Sequence, residues 1–315
     1  MRTILSLFLI FTVFAEAKNW PKNFTPGSAE AKYQDLGQEA RLFRYRTKHY
    51  RIESDTALSA QLLHNFAKSI ESVAIVLERI PLPLTWPPEE DLPKIKICAT
   101  EESFIAVGGT KNAAGYYDGR RKQVLILKDQ FLPPQGDQTQ LTSRPNFSIL
   151  VHELVHLRMH GYLPRTKPWF YEGVAEYLAA AHGNGGRPGE FDFIKMEQKI
   201  RQRIKRHSDP SLEKTIVTNL TSLIRKNSHA WHQHVSTKDH YELLEPYSGS
   251  LLLAHYFFHG GTERLAEVRE YLHAAKLVQH RDDERPILIP INQAKKIEQL
   301  LTQYWDSRGL KLLFK

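Results

Sequence analysis

His152, Glu153 and His156 stand in the run Val151-His152-Glu153-Leu154-Val155-His156, and Glu172 and Glu176 stand in Trp169-Phe170-Tyr171-Glu172-Gly173-Val174-Ala175-Glu176-Tyr177-Leu178. On a helix, positions i and i+4 share a face, with Cβ atoms roughly 5–6 Å apart. His152 and His156 can therefore aim two imidazole nitrogens at one metal ion. Glu153 points off that axis, where it can hold a water beside the metal as a general base. Phe147, Ile149, Leu150, Val151, Leu154, Val155 and Leu157 make the helix apolar almost all round, so it reads as buried. Histidine and glutamate inside such a helix need partners, and a metal supplies them. Taken alone, this run is also readable, with less weight, as a helix carrying two core or surface histidines.

A hydrolytic zinc site takes three protein ligands and leaves one position open. One source of the third ligand needs a glycine at position 159 and a histidine at 162; the chain has Met159 and Tyr162. The other source is a glutamate on a second helix. Glu172 follows His156 beyond a turn signal at Gly161–Pro164 and a second proline, Pro168. A helix starting there can run antiparallel beside the first and bring Glu172 to the metal. Glu176 lies one turn further on the same face, placed to accept a hydrogen bond from a ligating histidine and fix its tautomer. Trp169, Phe170, Tyr171 and Tyr177 read as packing residues.

With these residues the chain resembles the gluzincins, the metallopeptidase group that includes thermolysin and the zinc aminopeptidases, and most nearly the peptidase-MA-like domains of secreted bacterial proteins. The resemblance covers residues 145–182 closely and 45–275 loosely. It implies zinc held by His152, His156 and Glu172, Glu153 as general base, and Glu176 bracing a ligand. It also implies a tyrosine at the start of a downstream helix that donates to the oxyanion of hydrolysis, a place that Tyr247 fits. Residues near Gly115–Leu127 are expected to include the edge strand that grips the substrate backbone. The GxMEN segment of zinc aminopeptidases is absent, so an endopeptidase is favoured over an exopeptidase. Two alternatives stay open: an envelope binding protein stabilised by zinc and without peptidase activity, and a zinc amidase acting on cell-wall peptide links.

The elements that must position these groups are expected to form an α+β, zincin-like fold. A loose lead-in at 18–40 precedes a small mixed-sheet lobe at 41–140. A mainly helical lobe at 141–315 follows, with zinc in the cleft between the two. Strands are expected at 49–53, 95–99 and 123–127, a short helix at 101–107, and a further helix over the basic stretch 195–206 with Phe193, Met196 and Ile200 on one side. A long helix is expected over 56–79, capped by Ser54 or Asp55. Gly108-Gly109 and Gly115-Tyr116-Tyr117 are expected to flank a loop, and residues 182–189 to form a connection after the ligand helix.

Residues 1–17 read as a secretory signal peptide: Arg2, an apolar stretch from Ile4 to Phe14, and Ala15-Glu16-Ala17 as the cleavage site. The product would be secreted or periplasmic, with no stable membrane insertion. Cys98 is the only cysteine, in a strand-like alternation, and reads as a buried structural thiol; no internal disulfide can form. The net charge is +8. Its densest stretch, Lys195 to Arg206, reads as a solvated helix face with a weak attraction to an anionic envelope surface. No nucleic-acid motif is present, and the expected partner is a peptide or protein substrate. His229, His232, His234 and His240 around Trp231 lack a carboxylate pattern and read as a polar surface segment. His255 reads as a core residue or one behind the metal ligands.

Overall fold

The computed structural model describes residues 19–27, 32–87, 91–111, 113–131, 147–182, 188–206, 213–237, 240–279 and 285–315. The signal-peptide reading of residues 1–17 and the connection at 183–187 lie outside them. In chain order the first half contains β1 (Asn23–Phe24), β2 (Gln34–Glu39), β3 (Leu42–Arg46), β4 (Arg51–Ser54), α1 (Ala60–Arg79), β5 (Lys94–Cys98), α2 (Glu101–Ala106), β6 (Gly115–Asp118), β7 (Gln123–Leu127) and the short α3 (Lys128–Phe131). The second half contains α4 (Phe147–Arg158), α5 (Pro168–Ala181), β8 (Phe191–Asp192), α6 (Met196–Arg206), β9 (Thr215–Val217), α7 (Leu220–Arg225), α8 (Ser228–Thr237), α9 (His240–His259), α10 (Thr262–Leu277), a 3-10 turn at Ile291–Gln293, α11 (Ala294–Asp306) and β10 (Leu312–Phe314). The fold is mixed α and β around a mixed sheet.

Alternation along the strands divides the sheet into two faces. Its order is β2-β3-β4-β5-β7-β6; β4, β5 and β7 run parallel, and the other neighbours run antiparallel. Ile52, Ile95, Ile97, Val124 and Ile126 face the main core, which they share with α1 and α4. Leu125 and Cys98 face the other way and pack with Phe104 of α2. The Cys98 thiol is buried, and burial pushes it up to about 11, so it stays protonated and unreactive. One continuous core joins the sheet to α4, α5 and α9, so both halves of the chain enclose the same apolar interior.

Two expectations need correction. The lead-in at 18–40 contains β1 and β2: β1 pairs with β8, and β2 pairs with β3. All six residues of β2 are exposed, so no apolar alternation announces it. The cap of α1 is Ser59, whose hydroxyl accepts from the Leu62 N–H at 3.3 Å. Ser54 instead ends β4, and the Asp55 carboxylate accepts the Ala99 N–H at 2.8 Å, which ties two strands together. Gly115, Tyr116 and Tyr117 open β6, the last strand in the sheet order, and with Gly108 and Gly109 they border the irregular stretch after α2, as expected.

All fourteen residues of α5 are buried. The helix starts at Pro168, where a missing N–H costs nothing, and packs against α4, α6 and α9. Gly173 makes the approach of α9 feasible: a Cβ there would lie 2.5 Å from the Ser250 carbonyl oxygen. The turn between α4 and α5 is pinned by Tyr162, which is buried and donates its hydroxyl to the Pro83 carbonyl at 2.6 Å.

Candidate metal centre

α4 and α5 pack side by side and present His152, His156 and Glu172 to one point. Nε2 of His152 lies 3.0 Å from Nε2 of His156 and 3.1 Å from Oε2 of Glu172, and the His156–Glu172 separation is 3.3 Å. Three such atoms cannot all satisfy one another. If both rings carry a proton on Nε2, two N–H groups face each other; if only one does, its single proton serves one neighbour. A cation at their centre takes a lone pair from each. For bonds of roughly 2.0–2.1 Å in a tetrahedron, ligand–ligand separations are about 3.3 Å, close to what is seen here. The donor set therefore fits zinc. Among the described residues, these three form the one cluster of His, Cys, Asp or Glu with ligand atoms close enough to share a metal.

Glu176 stands one turn below Glu172. Its Oε1 lies 3.0 Å from Nδ1 of His152, which directs the other ring nitrogen at the metal position. Its Oε2 accepts from Nε and Nη2 of Arg203 at 2.7 and 2.6 Å. A chain of contacts thus runs from α6 through α5 to α4. His156 has no comparable brace: its Nδ1 is buried without a hydrogen-bond partner.

The electrostatics favour a positive charge at this point. Burial works to raise the Glu172 carboxyl, but the His156 and His152 rings outweigh it and hold it at about 2. Burial acts likewise on Glu176, and Arg203 with His152 brings it to about 2. Burial disfavours a charged His152, yet the hydrogen bonds it donates to Glu172 and Glu176 raise its pKa well above the ordinary value. Two buried ionised carboxylates converge here, and a field that retains a proton on His152 also attracts a metal cation.

Aromatic rings wall the site. Tyr171 meets the His156 ring edge-on, with centroids 5.7 Å apart, and Tyr117 of β6 lies 6.1 Å from it on the sheet side. Glu153 is half-buried on α4. Tyr247 is the site's third ring, 6.1 Å from His152 and edge-on to Trp231 at 5.3 Å. It was expected at the entrance of a helix. It lies instead inside α9, directly after Pro246, because the helix begins at His240 despite the proline. Burial, then Glu172, keeps its phenol well above the ordinary range, so it remains a hydrogen-bond donor.

Other candidates fall away from the centre. His255 is buried and meets the Tyr304 hydroxyl through Nδ1 at 3.1 Å, a core contact. His229 and His232 are exposed and His234 is half-buried, while Trp231 is buried; the side chain of His240 lies outside the described residues. The basic stretch of α6 is not simply a solvated face. Lys199 donates to the Ala181 and Asp192 carbonyls, Arg201 contacts the Arg308 carbonyl, and Arg203 reaches Glu176. Arg203 is the functional residue that sequence reasoning missed. Its one available signal was the need of a buried Glu176 for a countercharge.

No protein-family model matches the chain, and no curated protein matches it.

Proposed function

We propose that the chain is a zinc-dependent peptidase of the gluzincin type, with endopeptidase activity favoured. The observation that carries this reading is the convergence of Nε2 of His152, Nε2 of His156 and Oε2 of Glu172 within 3.0–3.3 Å, with a carboxylate, Glu153, next to the first of them. A pure binding scaffold needs the three ligands and has no use for Glu153.

The zinc ion, when bound, would polarise a scissile carbonyl and acidify a water molecule at neutral pH. Glu153 accepts the proton of the attacking water and returns it to the leaving amine. The Tyr247 hydroxyl donates to the oxygen that gains charge as the carbonyl becomes tetrahedral. Glu176 keeps the His152 tautomer fixed, and Arg203 keeps Glu176 ionised and in place. β6 is the last strand in the sheet order and lies next to α4, where its main chain would meet an extended peptide of any sequence. The leader read at residues 1–17 supports action outside the cytoplasm. Among the described residues, no helix is long and apolar enough to cross a membrane.

The test is a zinc-loaded protein offered a mixed peptide library, with products read by mass spectrometry and Glu153→Gln as the control. Cleavage by the wild type alone supports the reading. Equal cleavage by Glu153→Gln refutes the base, and no cleavage by a fully loaded wild type favours the binding-protein or cell-wall amidase alternatives.

A further inference from the structure

A cavity of about 450 Å³ opens beside the C-terminal end of α4. Among the described residues, Arg51, Lys94, Arg121, Lys122 and Arg158 line it, against one carboxylate, Asp91. Its volume is within the range of sites for small groups. Several of these cations already have a carboxylate partner: Arg51 with Asp91 at 3.3 Å, Lys94 with Glu53 at 3.4 Å, Arg121 with Asp118 at 3.1 Å and Arg158 with Glu78 at 3.3 Å. Each pair uses a fraction of the donors, because a guanidinium carries five N–H groups and an ammonium three. The decisive group is Arg158. Its side chain is 7 % exposed, and its Nε is buried with no hydrogen-bond partner. An unmatched donor on a buried cation is costly unless an acceptor arrives.

The cavity adjoins the proposed peptidase centre through two continuous pieces of chain. Leu157 and Arg158 directly follow His156 on α4 and line the cavity. Arg121 and Lys122 sit in the turn that joins β6 to β7, and Tyr117 of β6 touches the His156 ring. One wall is fixed by Trp86, whose N–H donates to the Arg158 carbonyl at 2.9 Å. Gly161 permits that packing: a Cβ there would lie 2.0 Å from the indole. A peptide extended along β6 past Tyr117 would run towards the turn at Arg121 and Lys122, whose side chains line the cavity.

We infer that this cavity is a carboxylate-binding subsite, which selects peptide substrates bearing an acidic side chain or a free C-terminal carboxylate a few residues from the scissile bond. The inference rests on the peptidase reading for its placement, and its test separates the two.

Zinc-loaded protein carrying Glu153→Gln, which leaves the peptide uncut, is titrated calorimetrically with three peptides. The first is blocked at both ends and carries one glutamate. The second has glutamine in its place. The third is the glutamine peptide with a free C-terminal carboxylate. The glutamate or the free-acid peptide binds about tenfold more tightly than the blocked glutamine peptide, and which of them does identifies the source of the carboxylate. The preference shrinks in high salt and is lost in Arg158→Gln. It is also weakened in Arg121→Gln, a substitution at an exposed side chain that keeps the fold intact if the buried one does not. Equal affinity for all three peptides, or a preference unchanged in both variants, overturns the inference. A preference in binding without cleavage by the wild type leaves the subsite standing and removes the peptidase reading. Cleavage without preference removes the subsite alone.

Discussion

Replacing Glu176 with glutamine tests whether the α6–α5–α4 chain of contacts serves the metal or only the fold. The carboxylate meets Nδ1 of His152 through one oxygen and two Arg203 nitrogens through the other. An amide has one acceptor oxygen, so Glu176→Gln turns an NH2 group towards either Arg203 or His152. With Nε2 of His152 engaged by a metal, Nδ1 carries the proton, and both neighbours are donors. One set of contacts must break. Hydrogen bonds to charged groups contribute about 1.5–3 kcal/mol each, and Arg203 retains 20 % side-chain exposure, so water recovers part of the loss. The expected stability cost is about 2–3 kcal/mol. Loss of such a brace weakens metal binding by about 10–100-fold, or roughly 1.4–2.7 kcal/mol. Zinc affinity is measured by competition with a chromophoric chelator, and stability by urea unfolding of the metal-free chain. A variant that loses stability yet binds zinc within about twofold of the wild type would refute the reasoning, leaving Glu176 as a partner of Arg203 alone.

Tyr247→Phe removes one hydroxyl donor and should lower kcat by about 10²-fold, by analogy with the loss of an oxyanion donor, with KM little changed; a change in KM alone contradicts the role. Gly173→Ala places a methyl 2.5 Å from the Ser250 carbonyl and should destabilise the chain by about 1–3 kcal/mol in urea unfolding, and a neutral result would mean that α9 shifts freely. Glu71 is buried; burial works to raise its carboxyl, but its hydrogen bonds to His49 and Thr47 lower it below the ordinary 4.5. Its contribution is therefore fully present above about pH 4.5, the unfolded value, and is lost as pH falls through the lower folded value. Glu71→Gln should be less stable than the wild type at pH 7 and converge with it in strong acid; parallel acid-unfolding curves would contradict this.

The His152–His156 spacing was legible because one turn of helix is a property of consecutive residues. Glu172 was legible as a candidate because Gly161, Pro164 and Pro168 mark the turn that doubles the chain back. Arg203 was not legible. It is separated from Glu176 by 27 positions, and a cation on an amphipathic helix looks the same whether it meets water or a buried acid. The apolar spacing of α6 was readable, with Met196, Ile200 and Ile204 all buried, but which basic side chains curl inward depends on what packs beside it. β2 escaped notice for a related reason. A fully exposed strand is held by main-chain pairing with β3, and main-chain groups carry no residue code. Tyr247 was placed by kinship with a helix entrance, whereas α9 tolerates Pro246 and starts earlier.

The complete burial of α5 also bears on how an ion would come and go. Glu172 and Glu176 sit on a helix enclosed along its whole length, and Tyr171 and Tyr117 close two flanks of His156. Among the described residues of the site, His152 and Glu153 keep partial exposure, so entry is expected from their side. A chelator too bulky to enter there must wait for spontaneous release. Loss of a bound zinc ion would then proceed at a rate independent of chelator concentration, and a zinc-loaded chain would act as a slow-exchanging reservoir.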